Sequence, residues 1–514
     1  MIFIEGNDRT QSVLFSESLD QIISPDNEVR IIDLFVESLN IEQMGFKIKK
    51  SIEGRPAYNP KDLLKLFIYG YLNRIRSSRV LEKECSRNTE LMWLLKQLVP
   101  DHNTISNFRR DNHDAIKKAF RFTVSIAKNF NLIGGALVAG DSTKLRAQNS
   151  KKNNYNPAKL EKHIQYIDSK LEEYTKSLMD ADGDKKESIK ESIARHTKRK
   201  IMYEGMQKEL KETGDTQIST SDPDSRQMIT RNNITEVAYN VQTVVDAKHC
   251  IPIDFKVTNE NDSKAMGDML CRTAEILETK NFTALYDKGY HTGSELKTAM
   301  DLGIKLMVAI PDTASNAPDV KYNVSEFKYS KVSDCYTCPE GEILTSNGNW
   351  YKKDRGKSVS MVKHYKTSAC LKCKVQPFCT RNPKGRLIER SEHANYIDQN
   401  KINIEQDPLT YKKRQAIVEH PYGTIKRQWS FCHITTKRFI KRAAADVGFI
   451  FLCYNLRRIL NIVDKNLLKE FLKKPGLILR QFFNFLQLIK RMLKDFNYQR
   501  SKPNLFLQPC SYRS

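Results

Sequence analysis

No apolar run in this 514-residue chain approaches the ~20 residues that span a bilayer. Its first residues, Met1-Ile2-Phe3-Ile4-Glu5-Gly6-Asn7-Asp8, lack the basic stretch and apolar core of a secretory leader. These two absences predict a soluble, intracellular (cytoplasmic) protein with no membrane partner. Acidic residues are also in short supply: 61 Asp+Glu against 85 Lys+Arg leave a net charge of +24. An excess of that size points to a polyanionic partner, most simply DNA or RNA. The length allows two to four domains with a real core. Of the 11 cysteines, five fall between Cys335 and Cys379. In a reducing compartment such a cluster reads as a metal site before it reads as a disulfide framework.

Residues 1–115 are read as a helical domain. Asn59-Pro60-Lys61-Asp62 has the form of a cap and first turn, with proline where a missing N–H costs least. Leu63, Leu64, Leu66, Phe67, Tyr69 and Leu72 follow at helical spacing. Further short helices are expected at 77–85 and 91–98, then a capped one over 100–110 with Arg109 and Arg110 late in it. Successive short helices ending in a basic one fit a helix-turn-helix that offers Arg109 and Arg110 to DNA. A plain helical bundle with a solvated basic end fits equally well.

From 116 to 319 the pattern becomes α/β. An apolar run, Ala136–Ala139, meets Asp141. Residues 237–246 and 251–257 read as a β-hairpin, 265–280 as a helix, and 282–286 as a short strand ending at Asp287. A helix at 294–302 and a strand at 305–310 follow. The order describes a mixed sheet of about five strands with helices packed on it. The insert at 156–213 repeats apolar residues at Leu160, Ile164, Ile167, Leu171, Tyr174 and Leu178, and returns through a Lys-rich stretch, as a long helical hairpin does. An Asp after an apolar run is usually a turn or cap residue. Asp141 and Asp287, however, both follow apolar strands, so neighbouring strand ends can bring them together where α/β sheets place their sites.

Residues 320–385 carry Cys335-x2-Cys338 and Cys370-x2-Cys373-x5-Cys379, a zinc-ribbon-like spacing. The ligand set is Cys338, Cys370, Cys373 and Cys379, or the set with Cys335 in place of Cys379; free buried thiols are the alternative. Residues 386–462 contain a helix over 408–430, with Pro421 in its middle and Glu419 and Lys426 seven apart on one face, and an apolar helix over 439–460. Glu419 offers a third carboxylate, although alone it reads as an exposed Glu on a basic helix. Residues 463–514 are a basic tail with further helices at 466–473 and 477–492.

Two Asp on adjacent strands and a Glu on a helix are the hard oxygen donors that a pair of Mg²⁺ ions needs, with water and phosphate oxygens completing the shells. Such a pair serves in-line displacement at phosphorus. The stretches Gly140-Asp141-Ser142-Thr143, Tyr239-Asn240-Val241-Gln242, Asp287-Lys288-Gly289-Tyr290, the cysteine block and Tyr411 to Lys426 make nearly the whole chain resemble one family. It is similar to DDE transposases of bacterial insertion sequences, in the branch with a Tyr-Arg-Glu-Lys signature, a helical N-terminal domain and a Cys-rich insertion. The resemblance implies a ribonuclease H-like catalytic core at 116–319 and 386–462. It implies Asp141, Asp287 and Glu419 as the triad for two Mg²⁺ (or Mn²⁺) ions, with Tyr411, Arg414 and Lys426 as the other signature members and Arg414 and Lys426 near DNA phosphates. It also implies cleavage at transposon ends, attack of the freed 3′-hydroxyl on target DNA, and a homodimer on paired terminal inverted repeats. Four residues separate Arg414 from Glu419 where the broader signature has three, so Arg414 is the member out of step. A nuclease that cuts without joining is one rival. An inactive descendant that only binds DNA is another, and the three intact carboxylates weigh against it.

Overall fold

The computed structural model describes residues 18–47, 56–180, 182–230, 234–311, 317–354 and 359–474. The expected helix at 477–492 lies outside the described residues. The protein is mixed α/β with a helical N-terminal region. It divides into two compact units: Met1–Gly134, Ser142–Asn261 and Ile417–Ser514 form one, and Gly135–Asp141 with Asp262–Ala416 form the other. Among the described residues no helix is long and apolar enough to cross a membrane.

The strand β1, Leu137–Arg146, contributes residues to both units. It does not stop at Asp141, as the apolar run suggests. Thr143 and Leu145 are buried while Ser142, Lys144 and Arg146 are not, so the strand continues on period-two alternation.

In the first unit the N-terminal helices start where the caps predict. Asn59 Oδ1 accepts the Lys61 N–H at 2.9 Å and starts Pro60–Leu72; Asp101 Oδ1 accepts the Asn103 and Thr104 N–H groups at 3.0 Å each and starts His102–Asp111. The latter helix corrects one expectation. Arg109 does not face solvent: with Ile105 and Phe108 it forms the buried face, and it is 5% exposed. Its Nη1 donates to Tyr71 Oη at 2.9 Å and lies 3.6 Å from Asp446. Asp446 is fully buried, takes Arg76 Nη2 at 2.5 Å and the Thr435 N–H at 2.7 Å, and is hydrogen-bonded by the Tyr71 hydroxyl. Two arginines and a tyrosine thus converge on one carboxylate, and Arg109 is part of the core. Arg110 is half-exposed and paired with Asp111 at 2.7 Å. The spacing of Ile105, Phe108 and Arg109 already put Arg109 on the apolar face; its charge concealed that.

The unit's core lies under the helix Ile440–Ile462, which packs on the helix His113–Asn129 and on a sheet. Phe120, Phe255 and Phe451 interlock there at 5.0–6.4 Å between ring centroids. A Cβ on Gly448 would fall 2.8 Å from Ile116 Cγ2, so the two helices cross at glycine distance. The short pair β2 (Asn154–Tyr155) and β3 (Ile218–Ser219) ties the base of the insert. In the sheet β4 (Arg226–Ile229) and β6 (Ile251–Thr258) both pair antiparallel with β5 (Thr235–Asp246). The insert is two helices, Pro157–Met179 and Asp184–Thr213, packed through Leu160, Ile167, Tyr203 and Leu210.

In the second unit the first residues of β1 pair in parallel with β7 (Thr283–Tyr286), and β7 with β8 (Lys305–Val308). Asn400 and Asn403, on the helix Ala394–Gln406, cover the edge of β8: the Asn400 amide bonds both the N–H and the C=O of Val308, at 2.8 and 2.7 Å, and Asn403 bonds Leu306 O at 3.0 Å. Satisfying a strand edge with side-chain amides removes a site for unwanted pairing. A separate antiparallel sheet runs β9 (Lys328–Ser330), β10 (Cys335–Thr337), β11 (Ile343–Asp354), β12 (Val359–Lys366) and β13 (Ile388–Ser391), in spatial order β13-β12-β11-β10-β9.

Candidate active site

The register of β1 on β7 places Leu137 beside Thr283, Val138 beside Ala284 and Ala139 beside Leu285. The pairing ends there; Asp141 lies two residues further along β1, and Asp287 two residues past Leu285, just beyond the end of β7. Gly140, the residue before Asp141, comes against Tyr286. A Cβ there would lie 2.0 Å from the Tyr286 ring, so glycine is what lets that ring cross β1. Asp287 is itself held: its Oδ1 accepts the Gly289 N–H at 2.9 Å and starts the turn Lys288–Tyr290.

The helix Pro408–Gly423 supplies the neighbouring groups. Tyr411 Oη donates to the Tyr286 carbonyl at 3.1 Å, which fixes the helix to the end of β7. Arg414 Nη1 lies 3.4 Å from Asp141 Oδ2, with both side chains about one-fifth exposed. Burial raises the Tyr411 phenol; the Arg414 guanidinium opposes that and the Asp287 carboxylate adds to it. Asp141, Asp287, Tyr411 and Arg414 are therefore brought together. The extra residue between Arg414 and Glu419 has not displaced Arg414 from the carboxylates.

Glu419 and Lys426 fall in the other unit. Glu419 is exposed, and the residues around it are anchored. Ile417, Val418 and Pro421 are buried, Tyr422 Oη lies 2.5 Å from Thr243 Oγ1 on β5, and His420 Nδ1 lies 2.7 Å from Tyr454 Oη, which donates to Cys250 O at 3.1 Å. Burial, and then Arg458, lowers the His420 pKa. Pro421 sits inside the helix, and the chain widens into a π-helical turn at Thr424–Gln428. Lys426 lies in that turn, so the expected two regular α-turns between Glu419 and Lys426 are not regular. π-turns inside helices often mark functional positions. The anchoring roles of Tyr286, Thr243, Tyr422 and Tyr454 were missed in the sequence. For Tyr422 and Tyr454 the signal was a tyrosine in a polar or apolar motif whose hydroxyl needs a partner when buried.

Cys338, Cys370, Cys373 and Cys379 line one small cavity of about 30 Å³ beneath the second sheet. Cys335 lies apart on β10, where its thiol meets Ser333. The Glu342 N–H points at Cys338 Sγ at 3.3 Å. Burial raises the Cys379 thiol; Arg386 opposes this, and the thiols of Cys370, Cys338 and Cys373 add to it. Among the described residues, no three His, Cys, Asp or Glu side chains stand in a geometry that could already hold a metal ion.

Two family models match the chain. One described as "Transposase domain (DUF772)" covers residues 17–111, and one described as "Transposase DDE domain" covers residues 337–460, the segment with Tyr411, Arg414, Glu419, Lys426 and four of the clustered cysteines. No curated protein matches. Among solved structures, the cryo-EM structure of a piggyBac transposase synaptic complex with hairpin DNA aligns with 93% of this chain and 82% of its own, at 10% identity and a TM-score of 0.25. A likeness that low carries no argument.

Proposed function

From the premise that this chain is a DDE transposase of the insertion-sequence type, whose function is DNA transposition, we propose that it cuts the ends of a mobile element and joins them to target DNA in a divalent-metal reaction. Asp141, Asp287 and Glu419 are the proposed catalytic and metal-holding triad, on a ribonuclease H-like core. The observation that supports this reading is that Asp141 and Asp287 follow the paired stretches of two neighbouring parallel strands, with Arg414 supplying positive charge to Asp141. Two partly exposed carboxylates at neighbouring strand ends suit a hard cation such as Mg²⁺ or Mn²⁺. Bound ions would there activate the attacking oxygen and stabilise the leaving one. Arg414 and Lys426 hold phosphate oxygens of the element end; a planar guanidinium can take two of them at once. Tyr411, through Tyr286 O, keeps Arg414 at the carboxylates. The DNA partners are the terminal inverted repeats and the target, bound by a homodimer in the bacterial cytoplasm. Incubation of the full chain with a duplex carrying the element's terminal repeat and a target plasmid tests this. Cleavage at the end and joined product are expected with Mg²⁺, and neither with EDTA; cleavage without joined product would reduce the protein to a nuclease.

The Cys-rich region is proposed as an insertion stapled by a structural Zn²⁺ on Cys338, Cys370, Cys373 and Cys379. The small sheet buries a cluster of Phe327, Tyr336, Leu344, Tyr365 and Ile388, with Cys338 and Cys379 packed against it. A core that small is usually reinforced by a metal or disulfides. The four thiols share one cavity, and an N–H points at one sulfur, as donors to thiolate ligands do. Cys373→Ser is expected to remove one zinc per chain by elemental analysis and to lower the melting temperature. Cys335→Ser should do neither. An unchanged melt in the first variant, with no zinc in the wild type, would dismiss the staple.

A further inference from the structure

A tight turn closes the cysteine region and brings a cation to its cavity. The Gly385 N–H donates to Asn382 O at 3.0 Å, and Gln376 Nε2 donates to the carbonyls of Asn382 and Pro383 at 3.2 Å each, which ties the turn to the short helix Gln376–Cys379. Gly385 has φ +90°, and a Cβ on it would fall 2.5 Å from Cys370 Cβ, so glycine is what lets the backbone pass this close to Cys370. The next residue, Arg386, is thereby delivered to the cavity lined by Cys338, Cys370, Cys373 and Cys379.

Arg386 is 7% exposed. Its Nη1 donates to Cys379 O at 3.2 Å, its guanidinium carbon lies 5.6 Å from the Phe327 ring centroid, and its buried Nε has no hydrogen-bond partner among the described residues. No carboxylate among the described residues pairs with it. Of the two acids at the same cavity, Glu340 is exposed and accepts the Tyr322 hydroxyl at 2.8 Å, and Glu342 is exposed. A buried cation without an anion is strongly destabilising. Four neutral thiols would leave Arg386 in that state. Four thiolates on one Zn²⁺ carry about two negative charges in excess, and their sulfurs accept hydrogen bonds from N–H groups. Lys372 and Lys374, on either side of Cys373, are exposed and solvated, so they have no such need.

We infer that Arg386 is the counter-cation of the thiolate site: its charge balances the excess negative charge of four zinc-bound cysteines, and its bond to Cys379 O holds the last ligand in place. The inference rests on the reading of Cys338, Cys370, Cys373 and Cys379 as a zinc site, and it assigns a positioning residue outside the ligand set. It is tested on the full chain by competition for Zn²⁺ with a chromophoric chelator, and by melts of the zinc-loaded and the metal-free protein. Arg386→Met is expected to bind Zn²⁺ about 10- to 100-fold more weakly, the usual cost of removing a group that supports metal ligands. Arg386→Lys, which keeps the charge, is expected to recover most of that affinity. Lys374→Met removes the same charge from an exposed position and is expected to change affinity by less than about threefold. The melts carry the sign that a packing role would not give. Arg386→Met should melt below wild type when both hold zinc, and at or above wild type when both are metal-free, because the variant no longer buries an unpaired charge. An equal fall in both states would make Arg386 a packing residue on Phe327 and overturn the inference. So would an affinity loss in Lys374→Met as large as in Arg386→Met. A wild type that takes up no Zn²⁺ removes the zinc site and the inference with it; a wild type that binds Zn²⁺ no more tightly than Arg386→Met keeps the zinc site and removes the inference alone.

Discussion

Asp446→Ala is expected to destabilise the first unit by about 3–5 kcal/mol, because it strands two buried guanidinium groups without a carboxylate. Arg76 and Arg109 are 7% and 5% exposed, and several of their nitrogens already lack a hydrogen-bond partner; the rings of Phe431 and Phe67 lie 4.6 and 5.3 Å from them. What balances that charge is Asp446. Burial pushes its carboxyl up, but Arg76 and Arg109, with the Tyr71 hydroxyl and the Thr435 N–H, together hold it below its ordinary value of 3.8. A depressed folded-state pKa gives stability that is fully present above the unfolded value and lost as pH falls through the folded one. The network's contribution is therefore constant at neutral pH and disappears in acid. Urea unfolding of Asp446→Ala and of Asp446→Ala/Arg109→Met measures it. The double variant should recover part of the loss, since it removes one stranded charge. Additive losses would mean that the residues do not act as a unit.

The largest effect on activity is expected from Asp141→Asn, Asp287→Asn and Glu419→Gln. Each should lower end cleavage by about three orders of magnitude or more, since a carboxylate that holds a catalytic metal governs several kcal/mol of transition-state stabilisation. The same changes should leave folding nearly intact. Asp141 and Arg414 meet at 3.4 Å with both side chains partly exposed, and Asp287 holds a short turn through one N–H bond. An ion pair so placed contributes under about 1 kcal/mol. Single-turnover cleavage, read beside DNA affinity and a melt, separates the two. A variant that loses affinity and melting temperature together would give its carboxylate a structural role.

Elements with a strong period were readable in the sequence. The strands expected at 282–286, 305–310 and 237–246 appear as Thr283–Tyr286, Lys305–Val308 and Thr235–Asp246, and helices start after Asn59 and Asp101 as the caps predict. That Asp141 and Asp287 follow neighbouring strands could be anticipated from strand order, but the close approach at Gly140, which lets the Tyr286 ring cross β1, could not. Arg109 was misread because a cation late in a helix looks like a surface group; its partner, Asp446, is more than 300 residues away in the chain. The cysteines divided for a similar reason. Spacing left Cys335 and Cys379 interchangeable, whereas folding puts Cys335 on a strand and Cys379 at the shared cavity. The π-turn after Pro421 had no sequence signal beyond the proline itself.

The central claim is most directly tested by cleavage of a duplex carrying the element's own terminal repeat, in Mg²⁺, by wild-type protein and by Glu419→Gln. The account predicts that the wild type cuts at the element end and that the variant binds the duplex with wild-type affinity and leaves it uncut. A Glu419→Gln protein that binds and cuts as fast as wild type would contradict it.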